Sequence, residues 1–153
     1  MRRVISLIAL LAVPILVRTA SAQATVSPIR DLTFGPVIQG IPKHILPNDA
    51  TRSGELQFIA ALGNNIRIAF TLPNKLNGPA GATMPIAFST TDAFALGTGP
   101  TSVPVTFNPN VSNQFQLVSS NRILIYIGGT ASAAANQRVG TYTGTITMTI
   151  TVL

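Results

Sequence analysis

From Thr141 to Thr151 every odd-numbered residue is threonine, while Tyr142, Gly144, Ile146, Met148 and Ile150 occupy the even positions. Side chains two residues apart share one face of a β-strand. The stretch therefore reads as one strand with a hydroxyl face and an apolar face. At ~3.4 Å per residue, residues 141–152 would extend about 40 Å, the full height of a two-layer sheet structure.

The same period of two recurs upstream. Leu32 and Phe34 alternate with Asp31 and Thr33; Leu56, Phe58 and Ala60 with Glu55, Gln57 and Ile59. Ile66, Ile68, Phe70 and Leu72 form a third run, Ile86 and Phe88 a fourth, and Val103, Val105 and Phe107 a fifth. Ile123, Ile125 and Ile127 form a sixth, before the closing strand. No window shows sustained helical spacing with caps. About seven strands of this kind predict an all-β fold, a sandwich of two antiparallel sheets.

Turn chemistry separates the runs. "GNN" at residues 63–65 suggests a tight hairpin. Residues 73–85, "PNKLNGPAGATMP", read as a loop, as do "LGTGPTS", "NPNVSNQ" and the small-residue connection "GGTASAAANQRVG". Pro104 interrupts its run and marks an edge strand or a bulge.

The first residues read as an export signal rather than as part of the fold. Arg2 and Arg3 precede an apolar run from Val4 to Val17, and Ala20-Ser21-Ala22 forms a small-x-small cleavage site. The run is shorter than the roughly 20 residues a spanning helix needs. Residues 1–22 are thus expected to be removed. Residues 23–153, that is 153 less 22 or 131 residues, are expected to form a single domain. No membrane span is expected after cleavage, and the absence of cysteine excludes disulfide staples and a lipid-anchored cysteine.

Loss of Arg2, Arg3 and Arg18 takes the formal charge from +6 to +3. The remaining cations stand singly. A nucleic-acid surface needs clustered Lys and Arg, so no nucleic-acid partner is expected.

The inventory for catalysis is thin: one histidine, no cysteine and four acidic residues. His44, in "IPKHILP", reads as a solvated residue in a proline-flanked loop. No serine lies in a G-x-S-x-G elbow, and "GTGPTS" lacks the lysine and spacing of a phosphate loop. Asp31, Asp49, Glu55 and Asp92 fit no calcium loop, and Asp49 and Glu55 read as solvent-facing charges beside a turn. No catalytic residue, metal or cofactor is expected. "NVS" at residues 110–112 matches the glycosylation acceptor in form only.

Three readings of the threonine row compete. A half-buried antiparallel strand favours Thr because it is stiff and pairs across strands. A partner contact would have this strand, or its neighbour, complete another subunit's sheet. A flat water-ordering array would need the same pattern on an adjacent strand, and no other strand repeats it.

Leu32, Phe34 and Gly35 of "DLTFG", with Gly128, Gly129, Gly140, Tyr142 and Gly144 of "IGGTASAAANQRVGTYTGTITMTITVL", carry a family likeness. They resemble a group of secreted bacterial domains with an early LxFG and a late GG…GxYxG strand. That group is similar in layout to spore coat protein U domains and the pilins of archaic chaperone–usher fimbriae. The resemblance implies an immunoglobulin-like β-sandwich. Its pilin branch implies assembly by donor-strand exchange, with Ala24 and Val26 as the inward residues of an N-terminal arm. The chain departs from the pilin pattern in lacking a cysteine pair. It also has only residues 23–30 before Asp31, which a first strand used within its own domain explains equally. The motif glycines have folding roles first: Gly140 and Gly144 to relieve crowding, with Tyr142 covering the gap between them.

These readings give an exported, non-catalytic structural or adhesive envelope protein, secreted, periplasmic or on the bacterial surface. A fimbria-like or coat subunit would fit, with copies of itself or other envelope proteins as partners. The alternative is a stand-alone binding module for a small ligand or protein. N-terminal sequencing of the protein recovered from a secreting bacterial host should begin at Gln23. Recovery of Met1 in the membrane fraction would contradict the cleavage.

Overall fold

The computed structural model describes residues 25–97, 103–117 and 121–153. The expected export segment and Ala24 lie outside these residues. Among the described residues every regular element is a strand except one 3-10 turn, Pro79–Gly81. The strands are β1 (Thr25–Arg30), β2 (Lys43–Ile45), β3 (Gly54–Ile59), β4 (Asn65–Thr71), β5 (Lys75–Asn77) and β6 (Thr83–Ala87). They continue with β7 (Ala93–Gly97), β8 (Val105–Phe107), β9 (Asn113–Gln116), β10 (Arg122–Ile127), β11 (Gly129–Ala131) and β12 (Thr147–Val152).

All pairings are antiparallel. A five-stranded sheet runs β1-β3-β10-β7-β8, a four-stranded sheet β2-β11-β6-β5, and a three-stranded sheet β12-β4-β9. A bridge between Asn77 and Thr143 ties the end of β5 to the chain leading into β12.

The alternating side chains explain how the sheets meet. Phe58 of β3, Ile123 and Ile125 of β10, Ala95 of β7 and Phe107 of β8 point into one core. Ile66 and Ile68 of β4 fill the same core from the three-stranded sheet, with Met148 and Ile150 of β12 packed against it. Ile66, Ile68 and Ile125 are 0% exposed. Phe107 stands edge-on to Phe115, with ring centroids 5.1 Å apart. The result is a β-sandwich-like, all-β body. A second core lies under the four-stranded sheet: Ile45, Leu76, Met84, Ile86 and Ala131, capped by Phe34, Leu32 and Tyr142.

The longer expected runs contain strands, and Phe58, Ile66, Ile68, Ile86, Ile123, Ile125 and Ile127 are buried as the alternation requires, while Leu56 and Phe70 are half-buried. Several shorter expectations need correction. "GNN" does not close a hairpin, because β3 and β4 belong to different sheets. The turn instead crosses between the sheets, held by Gly63 N–H to Leu117 O at 2.8 Å and Leu117 N–H to Asn64 O at 3.0 Å. Leu32 and Phe34 are not on a strand: residues 31–34 alternate across the edge of the second core without joining a ladder, with Thr33 N–H donating to Arg52 O, and the chain then turns at Gly35, φ +61°. Val103 and Val105 face solvent at 73% and 50% exposure, because β8 is the outermost strand of its sheet; only Phe107 reaches the core. Pro104 immediately precedes that edge strand, where its missing N–H has no ladder to break. The closing strand is shorter than read: β12 begins at Thr147, and the preceding residues run free of it.

β10 and β11 are separated only by Gly128, whose N–H donates to Asp92 O at 2.7 Å. Here the chain passes from the five-stranded to the four-stranded sheet against the backbone of Ile45, Leu46 and Pro47. A Cβ on Gly128 would collide with Ile45 O and sit 2.8 Å from Pro47 N. Gly63, at φ +85°, has nothing within 4 Å of such a Cβ. Gly128→Ala should therefore lower unfolding free energy by about 3 kcal/mol or more, and Gly63→Ala by about 1 kcal/mol through backbone strain alone. Urea melts of the two variants check the order.

Candidate functional site

Beyond the first core the layers part. Between the five-stranded and four-stranded sheets lies an open cleft of about 870 Å³. One wall comes from β1, β3 and β10 through Pro28, Leu56 and Ile127. The facing wall comes from β5, β6 and β11 through Leu76, Met84, Ile86 and Ala131. Residues 31–37 and 137–146 close its sides. Leu56 is only half-buried although its neighbour on the same face, Phe58, is 1% exposed. One strand face thus passes from packed core to open cleft.

Six of the eight motif residues line this cleft: Leu32, Phe34, Gly35, Gly140, Tyr142 and Gly144. Gly128 and Gly129 do not; they sit at the crossover, Gly129 with Phe88 against its Cα. Gly144 lets the chain lie on Leu76, since a Cβ there would stand 2.8 Å from Leu76 Cδ2. Tyr142 does not cover the space between Gly140 and Gly144 as the sequence suggests. Its ring lies on Gly78, and its hydroxyl donates to Arg138 O at 2.7 Å.

Sequence reading missed Gln137, the centre of this end of the molecule. Gln137 Nε2 donates to the Tyr142 hydroxyl and to Thr83 O at 3.2 Å. Its backbone carbonyl accepts from Gln39 Nε2 at 2.6 Å. One residue thereby joins β6, the 36–41 loop and the C-terminal arm. No local pattern marks it, because its partners lie up to 98 residues away.

Val26, the described member of the expected arm, is on β1 opposite Phe58 and is 46% exposed. Opposite Phe58 it shares the core-facing side of the sheet, but β1 pairs with β3 of its own chain and its place at the sheet's edge leaves Val26 half open to solvent. A register shift between Pro28 and Arg30 swings Arg30 over the loop before β3. There it donates to Ser53 O at 2.7 Å and Ala50 O at 2.6 Å and pairs with Glu55 at 3.3 Å. Glu55 also accepts from the Tyr126 hydroxyl. Partial burial, and then the Glu55 charge, push the Tyr126 phenol above its ordinary range.

The acids are not alike. Asp49 is a turn residue whose Oδ1 accepts from the Thr51 N–H, the Thr51 hydroxyl and the Arg52 N–H. The Thr51 N–H above all holds its carboxyl below the usual carboxylate range. Glu55, its side chain 15% exposed, is not the solvent-facing charge expected, and Asp92 is buried at 1% exposure. Its Oδ2 accepts from Ser89 N–H at 2.8 Å, and its Oδ1 lies 2.9 Å from His44 Nε2. His44 is accordingly no loop residue: it is the middle of β2, tethered to the turn before β7. A His–carboxylate pair is the base half of a hydrolytic triad. Among the described residues, however, no hydroxyl is hydrogen-bonded to the His44 ring.

Comparison with protein-family models, curated proteins and solved structures finds no match. The cleft's architecture makes one quantitative demand. Tyr142→Phe removes the bond to Arg138 O and leaves Gln137 one acceptor short, so stability should fall by about 1 kcal/mol. Denaturant melts of the variant measure it.

Proposed function

We propose that the chain is an exported structural or adhesive component of the bacterial envelope, an immunoglobulin-like sandwich that assembles through its sheet edges. The observation that carries this reading is the outer edge of β1. Among the described residues no strand pairs with it, and it presents Val26 and Ile29 at 46% and 54% exposure. An unpaired edge is a template for another chain. The export signal and the likeness to coat and fimbrial domains support the same reading. Pro28 limits the length of edge that can pair, which favours short contacts between copies over a continuous ladder.

A second reading, a stand-alone binding module, is favoured by the cleft. Its volume falls within the range of small-ligand sites, and its walls are largely apolar.

Size-exclusion chromatography and electron microscopy of the secreted protein separate the two. Assembly predicts concentration-dependent oligomers or fibres. Ile29→Lys, on the exposed edge at the register shift, should abolish them while changing stability by no more than about 0.5 kcal/mol. A strictly monomeric protein at all concentrations would contradict assembly and leave the binding reading in place.

A further inference from the structure

We infer that the cleft binds a single-chain amphiphile with an anionic head, a long-chain carboxylate, with its chain between the sheets and its head at Arg138. The inference rests on the binding-module reading and names its ligand class.

The cleft interior suits an alkyl chain. Leu32, Val37, Leu56 and Ile146, all half-buried, line it above the buried Ile127, Met84 and Ile86, and covering the half-buried ones removes apolar area from water. Two of the strongest polar groups of the lining are already engaged. Arg30 is held by Ser53, Ala50 and Glu55, and the Tyr142 hydroxyl by Gln137 and Arg138 O.

The charges lie at the mouth, and they are not balanced. Arg138 lines the cleft and its guanidinium has no partner among the described residues. Lys43 Nζ stands beside Gly35 on the rim, donating to Pro36 O at 2.8 Å. The Arg30 charge is offset by Glu55. Against Lys43 and Arg138 stands a single acid of the lining, Asp31. Guanidinium pairs well with a carboxylate, so the mouth favours an anionic head over a neutral or cationic one. Val139 and Ile38, at 87% and 66% exposure, add aliphatic surface at this end of the molecule. An amphiphile arriving from a micelle or bilayer would meet that surface first.

Isothermal titration of the secreted protein with dodecanoate and dodecylammonium below their micelle concentrations, and with dodecanol below its solubility limit, tests this. Dodecanoate should bind about tenfold tighter than dodecanol, as one charge-assisted contact warrants, and dodecylammonium weakest. Arg138→Gln, an exposed change that leaves the fold intact, should bring dodecanoate to the level of dodecanol without altering the alcohol. Ala133→Phe should fill the cleft and weaken both; Leu56→Trp serves the same purpose if circular dichroism shows that the first variant does not fold. Equal binding of all three, or an unchanged carboxylate preference in Arg138→Gln, would overturn the inference while sparing the binding module. No binding by any of them would overturn both. Loss of binding in step with self-assembly would make a second copy the occupant and overturn the inference as well.

Discussion

Everything in this molecule depends on where two sheets are pressed together and where they are not. Phe58, Ile123 and Ile125 on one side and Ile66 and Ile68 on the other leave almost no exposed surface at their contact. Close packing of branched and aromatic side chains makes such a contact rigid and intolerant of change. Farther along the same strands the inward residues lose their opposite numbers. Leu56, half-buried, then faces an opening instead of a neighbouring sheet. The cleft is what remains when one pair of sheets packs tightly and the third lies across a gap.

The gap is maintained by polar contacts. Gln137 and Tyr142 fix the C-terminal arm to β6 and to the 36–41 loop. Asn77 and Thr143 exchange two backbone bonds, at 2.7 and 2.9 Å, which stop the arm from falling inward. His44 and Asp92 anchor β2 to the turn before β7. Among the described residues no buried side-chain polar atom is left without a partner. Since an orphaned buried donor or acceptor is costly, these contacts favour one arrangement of the arm over looser ones.

Much of the fold was legible because core-facing strands must alternate. β3, β4, β10 and β12 each contribute two or more inward side chains, enough to show a period of two. β2, β5 and β11 were not legible: each spans three residues, too few to repeat a pattern, with Ile45, Leu76 and Ala131 as their deeply buried members. β9, "NQFQ", has one aromatic among amides and read as a break. Leu32 and Phe34 misled for the opposite reason. A segment lying across a core in extended form alternates like a strand, whether or not it joins a ladder. Pairing was less visible still: "GNN" marks a turn, but whether that turn stays in one sheet depends on residues such as Leu117, 54 positions beyond Gly63. Most of the motif residues pointed to the cleft without revealing it. An opening is a shortage of side chains, and a sequence records only those present. The His44–Asp92 pair was hidden in the same way, its members being 48 residues apart.

The central claim is that a tightly packed core and an open cleft share the same strands. Native-state amide hydrogen exchange tests it most directly, because it reports opening residue by residue. The account requires the amides of β4, β10 and the Phe58 end of β3 to exchange only through global unfolding. The hydrogen-bonded amides of Thr33 and Thr143, at the sides of the cleft, should exchange through smaller local openings, several orders of magnitude faster. Equal protection of both sets would mean that the cleft is packed as firmly as the core, and would contradict the account.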